Sequence, residues 1–314
     1  MICHYHRYLD YDYSRGAALF ITITTNPRRQ VFGKVVDGQM ELSELGKEAA
    51  SSILRVFSTP EIRLYRKVVM PDHVHISVYL KPGMDNGEAV RLLNRTVGKF
   101  KGWINRLYWQ DGGEGALWQE GYHDWICMGR EMIDAVQRYI DYNPLKWELR
   151  NNRGLLRMIE PLASPLLPPN EYWRGIGDME VLQTRRPTLA LRISRTNTQA
   201  QLEAFLARLK PKLGEYAIIS GFISAGERQT LDMLLASEDA QIIKVSPYAL
   251  AHDYSPNVGW MKAIKEGRMA VIARGNSPED ISRLACLDLN AAIAKMADKA
   301  VYYKDGHFVP QKRP

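Results

Sequence analysis

The apolar positions in the first half of the chain follow two periods. Residues 18–25 alternate apolar and polar side chains, which predicts a strand, and residues 28–38 form a second extended segment ending in a turn. Helical spacing follows over residues 41–57, with Ser43 placed to cap it. Residues 62–70 and 73–80 read as strand again, the second pairing with or continuing the first across a break or bulge at Pro71-Asp72 and closed by Lys81-Pro82-Gly83. A long helix is expected over residues 86–108, a glycine-rich loop at 111–115, and a helix over 130–143 that Pro144 stops. This order predicts an α+β domain, an antiparallel sheet with helices on one face.

The second half has a different rhythm. Strand-like runs at 188–194, 216–221, 241–245 and 269–274 alternate with helical segments at 199–210, 227–236, 258–266 and 278–297. Such alternation predicts βαβ units and a parallel, doubly wound, Rossmann-like α/β sheet. Between the halves lie Pro161, Pro165, Pro168 and Pro169, a linker composition. The expected organisation is therefore a domain over 1–158, a linker over 159–182 and a second domain over 183–314, with no internal repeat relating the two.

Composition narrows the class of partner. At 314 residues the chain is long enough for two cores, and 46% apolar with 25% charged residues is ordinary for a folded protein. A net charge of +7 favours a polyanionic partner. Cys3, Cys127 and Cys286 have no metal-type spacing and cannot all pair, which suggests a reducing compartment. The opening residues lack the apolar core of a signal peptide, and no apolar run is long enough to span a membrane, so a cytoplasmic location is expected.

Two segments carry chemistry. His73 and His75 flank Val74 on a strand, so both imidazoles point to one side, making half a metal site. The plainer reading is a pair of histidines satisfied by backbone or water. Val68, Val69, Val74, Ile76 and Val78 mark the strand as buried, where unpaired imidazoles are costly and a shared ligand is more attractive. Tyr139 and Asn143 lie four apart and stack on one helical face. A divalent cation held by two histidines and a polar oxygen, beside a tyrosine, can break a phosphodiester through a covalent phosphotyrosine.

Three stretches carry a family resemblance: residues 11–38, residues 68–75 (VVMPDHVH), and residues 118–147, containing WQEGYHDWI and YIDYNPLKW. On these the chain resembles the single-tyrosine HUH transposases of the IS200/IS605 type, most closely their REP-associated branch. The resemblance implies a ferredoxin-like HUH core in the first domain. It makes His73, His75 and Asn143 ligands of Mg²⁺ or Mn²⁺, and Tyr139 the nucleophile. Some members carry glutamine at the position of Asn143, whose arm is shorter. It further implies nicking and rejoining of single-stranded, hairpin-bearing DNA through a 5′-phosphotyrosine, in a nucleoid-associated enzyme that acts as monomer or homodimer. The alternatives are a domesticated protein that binds hairpin DNA without cutting it and a metal-dependent hydrolase of small phosphate esters.

Tyr142, on a different helical face, and Tyr122, in a loop, compete with Tyr139, and Asp72 or Asp141 could assist proton removal. Arg91, Arg95 and Lys99 recur every four residues as a positive stripe, with Lys101 and Arg106 near it. Arg28, Arg29, Arg63 and Lys67 are further candidates for phosphate contact, while Trp103, Tyr108 and Trp118 could stack on unpaired bases or belong to the core. In the second domain a small-residue turn holding Ser220, Gly221 and Gly226 could present amides to a phosphate, or its glycines could serve packing. That region, with Tyr254-Ser255-Pro256-Asn257, faintly resembles the Rossmann-like domain of the DNA-processing protein A family.

Overall fold

Strand β1 (Ala17–Thr24) buries alternate residues on two different surfaces, and that division organises the first half of the molecule. The computed structural model describes residues 11–183, 185–252, 254–275 and 282–310, and the chain divides into two units, Met1–Glu148 and Leu149–Pro314. The opening residues read for a leader, with Cys3, and residues 278–281 of the expected last helix lie outside the described residues.

In the first unit β1 is followed by a small hairpin of β2 (Gly33–Val36) and β3 (Gln39–Leu42), then by helix α1 (Glu44–Val56). Ser43 caps α1 by accepting from the Gly46 amide. Strands β4 (Ile62–Met70) and β5 (His73–Leu80) lead to α2 (Asn86–Gln110), which begins with a capping box of Asp85 and Glu88. The unit closes with β6 (His123–Ile126) and α3 (Arg130–Trp147). The sheet runs β4-β5-β1-β6, antiparallel throughout, so β5 lies inside it.

Two expectations are settled or changed here. Of pairing and continuing, β5 pairs: Pro71-Asp72 is the turn of a hairpin with Met70 opposite His73, and the irregularity in β4 lies at Leu64/Arg66 instead of at that turn. Helices cover both faces of the sheet, not one. Leu19, Ile21 and Ile23 of β1 and Val74, Ile76, Val78 and Leu80 of β5 pack with Ala49 and Ile53 of α1 and with Leu93, Val97, Phe100 and Ile104 of α2. The opposite face of β1 offers Ala18 and Phe20, which pack with Val136 and Ile140 of α3. The imidazoles share that second face. A strand buried on both sides cannot alternate apolar with polar, so one face is aliphatic and the other mixed.

A third difference matters more. Pro144 lies inside α3 rather than ending it, and the helix continues to Trp147. A proline near the end of a helix forfeits one amide bond without breaking the last turn. Lys146 and Trp147 are thereby held on the same helix as Tyr139 and Asn143.

The second unit contains β7 (Trp173–Gly177), β8 (Thr188–Ile193), α4 (Gln199–Leu209), β9 (Ala217–Ser220), α5 (Ala225–Leu235), β10 (Gln241–Val245), α6 (Val258–Lys265), β11 (Met269–Arg274), α7 (Arg283–Met296), β12 (Lys299–Lys304) and β13 (His307–Pro310). Its sheet is ordered β13-β12-β8-β9-β10-β11-β7. The five inner strands are parallel, and β13 and β7 run antiparallel at the two edges. The passage read as a linker is built into this unit. Ile159 exchanges both amide bonds with Gly175 of β7, and Leu162 and Leu167 join the core beneath α7. Its prolines shape an ordered crossing rather than a tether.

Gly46 shows how closely α1 approaches the loop before β2. A Cβ there would stand 2.1 Å from the Phe32 carbonyl oxygen, whereas one on Gly102 of α2 would meet nothing within 4 Å. Gly46→Ala is therefore expected to destabilise by about 1–3 kcal/mol or more despite alanine's helix propensity. Gly102→Ala is expected to stabilise by up to about 1 kcal/mol. Urea melts of the two variants against the wild type check both.

Candidate active site

The β1–β5 register sets Thr22 opposite His75 and Thr24 opposite His73. Both histidines are more than nine-tenths buried, so each ring nitrogen needs a partner. Thr22 Oγ1 lies 2.9 Å from His75 Nδ1, and Asp72 Oδ1 lies 2.5 Å from His73 Nδ1. The two Nε2 atoms are thereby turned toward each other, 3.1 Å apart. A carboxylate on Nδ1 selects the tautomer whose Nε2 carries a lone pair, the orientation seen around metal-bound histidines.

Helix α3 closes the site from the other side. The Tyr139 ring lies 5.4 Å from that of His75 and 5.8 Å from that of Phe20, and the Trp147 ring lies 6.1 Å from His73. Tyr139, Asn143 and Trp147 fall at successive four-residue steps. Asn143, buried between two neighbours that each meet one histidine, thus belongs to the helix row facing the imidazole pair. Tyr139 itself is 39% exposed, unlike the buried histidines and Asn143.

Of the competing tyrosines, Tyr122 donates to Asn94 Oδ1 and packs against the core on the α1–α2 side. Tyr142 is exposed, without a ring contact to either histidine among the described residues. Asp141 pairs with Arg66 at 3.5 Å, which leaves Asp72 as the carboxylate in contact with His73. Cys127 lies in the small core under α3, where burial pushes its thiol up to about 11 and leaves it inert.

Burial holds His75 well below the ordinary imidazole range, and the charges of His73, Lys146 and Arg28 act in the same direction. A neutral imidazole can offer a ring-nitrogen lone pair to a metal. An Nε2···Nε2 separation of 3.1 Å suits adjacent ligands of a cation whose bonds are about 2.0–2.1 Å. Among the described residues no group of three or more His, Cys, Asp and Glu could hold a metal ion. The amide of Asn143, on the row of α3 that faces the imidazoles, is a group type outside that set.

The cations expected to contact DNA divide between surfaces. Arg28 reaches Asp72 Oδ2 at 3.4 Å and so borders the site. Arg63, opposite Tyr79 in the register, shares the histidine face, whereas Lys67, opposite Ile76, points to the other. Arg29 donates to Tyr108 Oη and the Glu114 carbonyl, pinning the glycine-rich loop. Arg91, Arg95 and Lys99 are exposed on α2, which covers the face opposite the histidines, and Trp103 extends their four-residue spacing with Arg55 and Arg106 against its ring. Lys101 donates to the Gln119 and Gly121 carbonyls, and Trp118 belongs to the core.

In the second unit the expected phosphate turn is already filled. The Glu227 carboxylate accepts from the amides of Ile193, Ile223 and Ser224, and the Ser220 hydroxyl donates to the Leu191 carbonyl. Gly221 and Gly226 are packing glycines: a Cβ on Gly226 would stand 2.7 Å from Ile193 Cγ2, and one on Gly221 would stand 3.1 Å from Ile223 and Leu289. Sequence reasoning missed Thr22, Trp147 and Lys146. Thr22 was detectable only by fixing the β1–β5 register, and the other two were hidden by reading Pro144 as a stop.

Comparison with known proteins finds a family match within the first unit. Residues 17–143 match the family described as transposase IS200-like. A curated relative from Haemophilus influenzae, itself uncharacterized, is 25% identical over 156 residues, covering 44% of this chain and 86% of its own. Among solved structures, a REP-associated tyrosine transposase bound to a REP hairpin is 20% identical, covers 46% of this chain and 74% of its own, and has a TM-score of 0.31. DNA-processing protein A of Helicobacter pylori, described for its single-stranded DNA binding, is 15% identical, covers 46% and 68%, and has a TM-score of 0.35. No helix among the described residues is long and apolar enough to cross a membrane.

A pH dependence follows from His75. Its folded-state affinity for a proton is lower than the unfolded chain's, whose imidazole titrates near about 6.5. As pH falls through that value the unfolded chain takes up a proton that the folded protein refuses, so stability declines toward acid. Melting temperatures of chelator-treated protein from neutral to mildly acid pH should fall, and His75→Gln should show a shallower decline.

Proposed function

We propose, taking as premise that residues 17–143 belong to the IS200-like transposase family, that this chain cuts and rejoins single-stranded DNA through a phosphotyrosine on Tyr139. The observation that carries the reading is the triangle of His73, His75 and Tyr139: two inward Nε2 atoms 3.1 Å apart and a half-open tyrosine ring 5.4 Å from the second imidazole. A small-ester hydrolase would have no use for a tyrosine held there.

His73, His75 and Asn143 would hold Mg²⁺ or Mn²⁺, which when bound polarises the scissile phosphate. The chain's own residues do the rest. Asp72 and Thr22 hold the imidazoles in the ligating orientation. Tyr139 attacks phosphorus, its phenolic proton leaves during the attack, and the products are a 5′-phosphotyrosine and a free 3′-OH. The ester conserves the energy of the broken bond, so a second 3′-OH can reverse the step and join strands. A hairpin-bearing substrate and action as monomer or homodimer follow the REP-associated branch that the sequence resembles. Arg28 and Arg63 are the expected phosphate contacts on the catalytic face, with Arg91, Arg95 and Lys99 serving DNA that passes the other side.

The second unit reads as a Rossmann-like domain that grips the same DNA. At the carboxyl ends of its parallel strands, where α4 and α7 depart to opposite faces, a cavity of about 620 Å³ is lined by Arg192, Arg195, Arg283 and Tyr302. Such a crevice at a topological switch point is the usual ligand site of an open α/β sheet, and its arginines and tyrosine suit phosphates and unpaired bases.

Hairpin oligonucleotides incubated with the protein and Mn²⁺ should yield a covalent protein–DNA band on denaturing gels that Tyr139→Phe abolishes. Absence of adduct across a broad panel, with binding intact, would favour the hairpin-binding alternative; cleavage without adduct would favour a hydrolase. His73→Ala should weaken Mn²⁺ binding, read by calorimetry, by no less than the roughly 10–100-fold typical of losing a ligand's supporting partner. For the second unit, Arg192→Ala combined with Arg195→Ala should weaken single-strand binding and flatten its salt dependence; unchanged binding would remove this domain from the DNA path.

A further inference from the structure

The helix row that carries Tyr139 and Asn143 also carries Lys146, three residues beyond the asparagine and seven beyond the tyrosine. Those spacings keep the three on one side of α3. Lys146 Nζ stands 5.0 Å from the centre of the Tyr139 ring, and that ring stands 5.4 Å from the imidazole of His75. The lysine is half-buried, so its charge is screened less than in open water.

We propose that Lys146 is a catalytic residue of strand transfer, its ammonium offsetting the negative charge that builds between Tyr139 and the departing 3′ oxygen. The proposal rests on the phosphotyrosine reading. In the step, the bond from Tyr139 Oη to phosphorus forms, the bond from phosphorus to the 3′ oxygen breaks, and the proton lost by the phenol is balanced by the one gained at the 3′ oxygen. The phosphodiester carries one negative charge before and one after, so a fixed cation favours neither ground state over the other. Between them, charge spreads over the nucleophile, the phosphoryl oxygens and the leaving oxygen, and a preorganised ammonium acts most strongly there. The same cation serves the reverse reaction, because joining passes through the same transition state.

Single-turnover adduct formation in Lys146→Met, Lys146→Arg and wild type tests this, with oligonucleotide affinity and melting temperature measured alongside. Lys146→Met should slow adduct formation by at least about tenfold while leaving affinity within about threefold, and Lys146→Arg should recover most of the rate. A methionine variant as fast as wild type, a slowing matched by an equal loss of affinity, or an arginine variant as slow as the methionine one would each overturn the proposal. A wild type that forms no adduct overturns the tyrosine reading first, a result distinct from an undiminished methionine variant.

Discussion

A strand covered on both faces leaves nowhere for an unsatisfied polar group, and β5 is such a strand. Its Val74, Ile76, Val78 and Leu80 supply one core, while His73 and His75 project into the other side beneath α3. Two imidazoles in that position must each find partners for two ring nitrogens. The fold meets this requirement twice over: the turn before the strand supplies Asp72, and the neighbouring strand supplies Thr22 at the matching register. Once both Nδ1 atoms are taken, geometry leaves the Nε2 atoms aimed at a common point. Any change that slips β1 against β5 by one residue would exchange the aliphatic and histidine faces and lose core and site together.

The histidine pair and the tyrosine–asparagine row were legible because each lies within one regular element, where spacing alone fixes which side chains share a face. What escaped depended on contacts between elements. Thr22 is an ordinary strand threonine until β1 is paired with β5. Lys146 and Trp147 follow a proline, and a local rule that is right in a helix interior fails in a last turn. The number of faces covered was equally invisible, since helical periodicity states that a helix has an apolar side but not which side of the sheet receives it. This also divided the basic residues: Arg91, Arg95 and Lys99 form the expected stripe on the sheet face away from the histidines.

In the second unit, local reasoning found the parallel strands and overlooked the edges. Strand β12 is only partly buried, β13 is four residues long and exposed over His307–Val309, and β7 follows a proline-rich passage that composition marks as a tether. Proline restricts the backbone whether or not the segment is packed; here Leu162, Leu167 and Trp173 decide the matter by joining a core. The β9–α5 turn teaches the converse. Its sequence has the small residues of a phosphate cradle, but Glu227, one helical turn in, folds back and occupies the amides. A turn shaped for an anion can carry its own.

If Tyr139 forms a phosphoester, the environment that buries the histidines also decides the fate of that ester. Rejoining requires that a 3′-OH reach the phosphorus before water does. The rings of Phe20 and Trp147 and the apolar side chains of Val68, Val136 and Ile140 wall the catalytic face, and the histidines are more than nine-tenths buried behind them. Tyr139 is the most exposed of these groups. Attack must then come from the side on which the DNA lies, where a strand held by cations excludes solvent and presents its own hydroxyl. On this argument, favouring transfer over hydrolysis belongs to the packing of α3 on the sheet as much as to any single catalytic group.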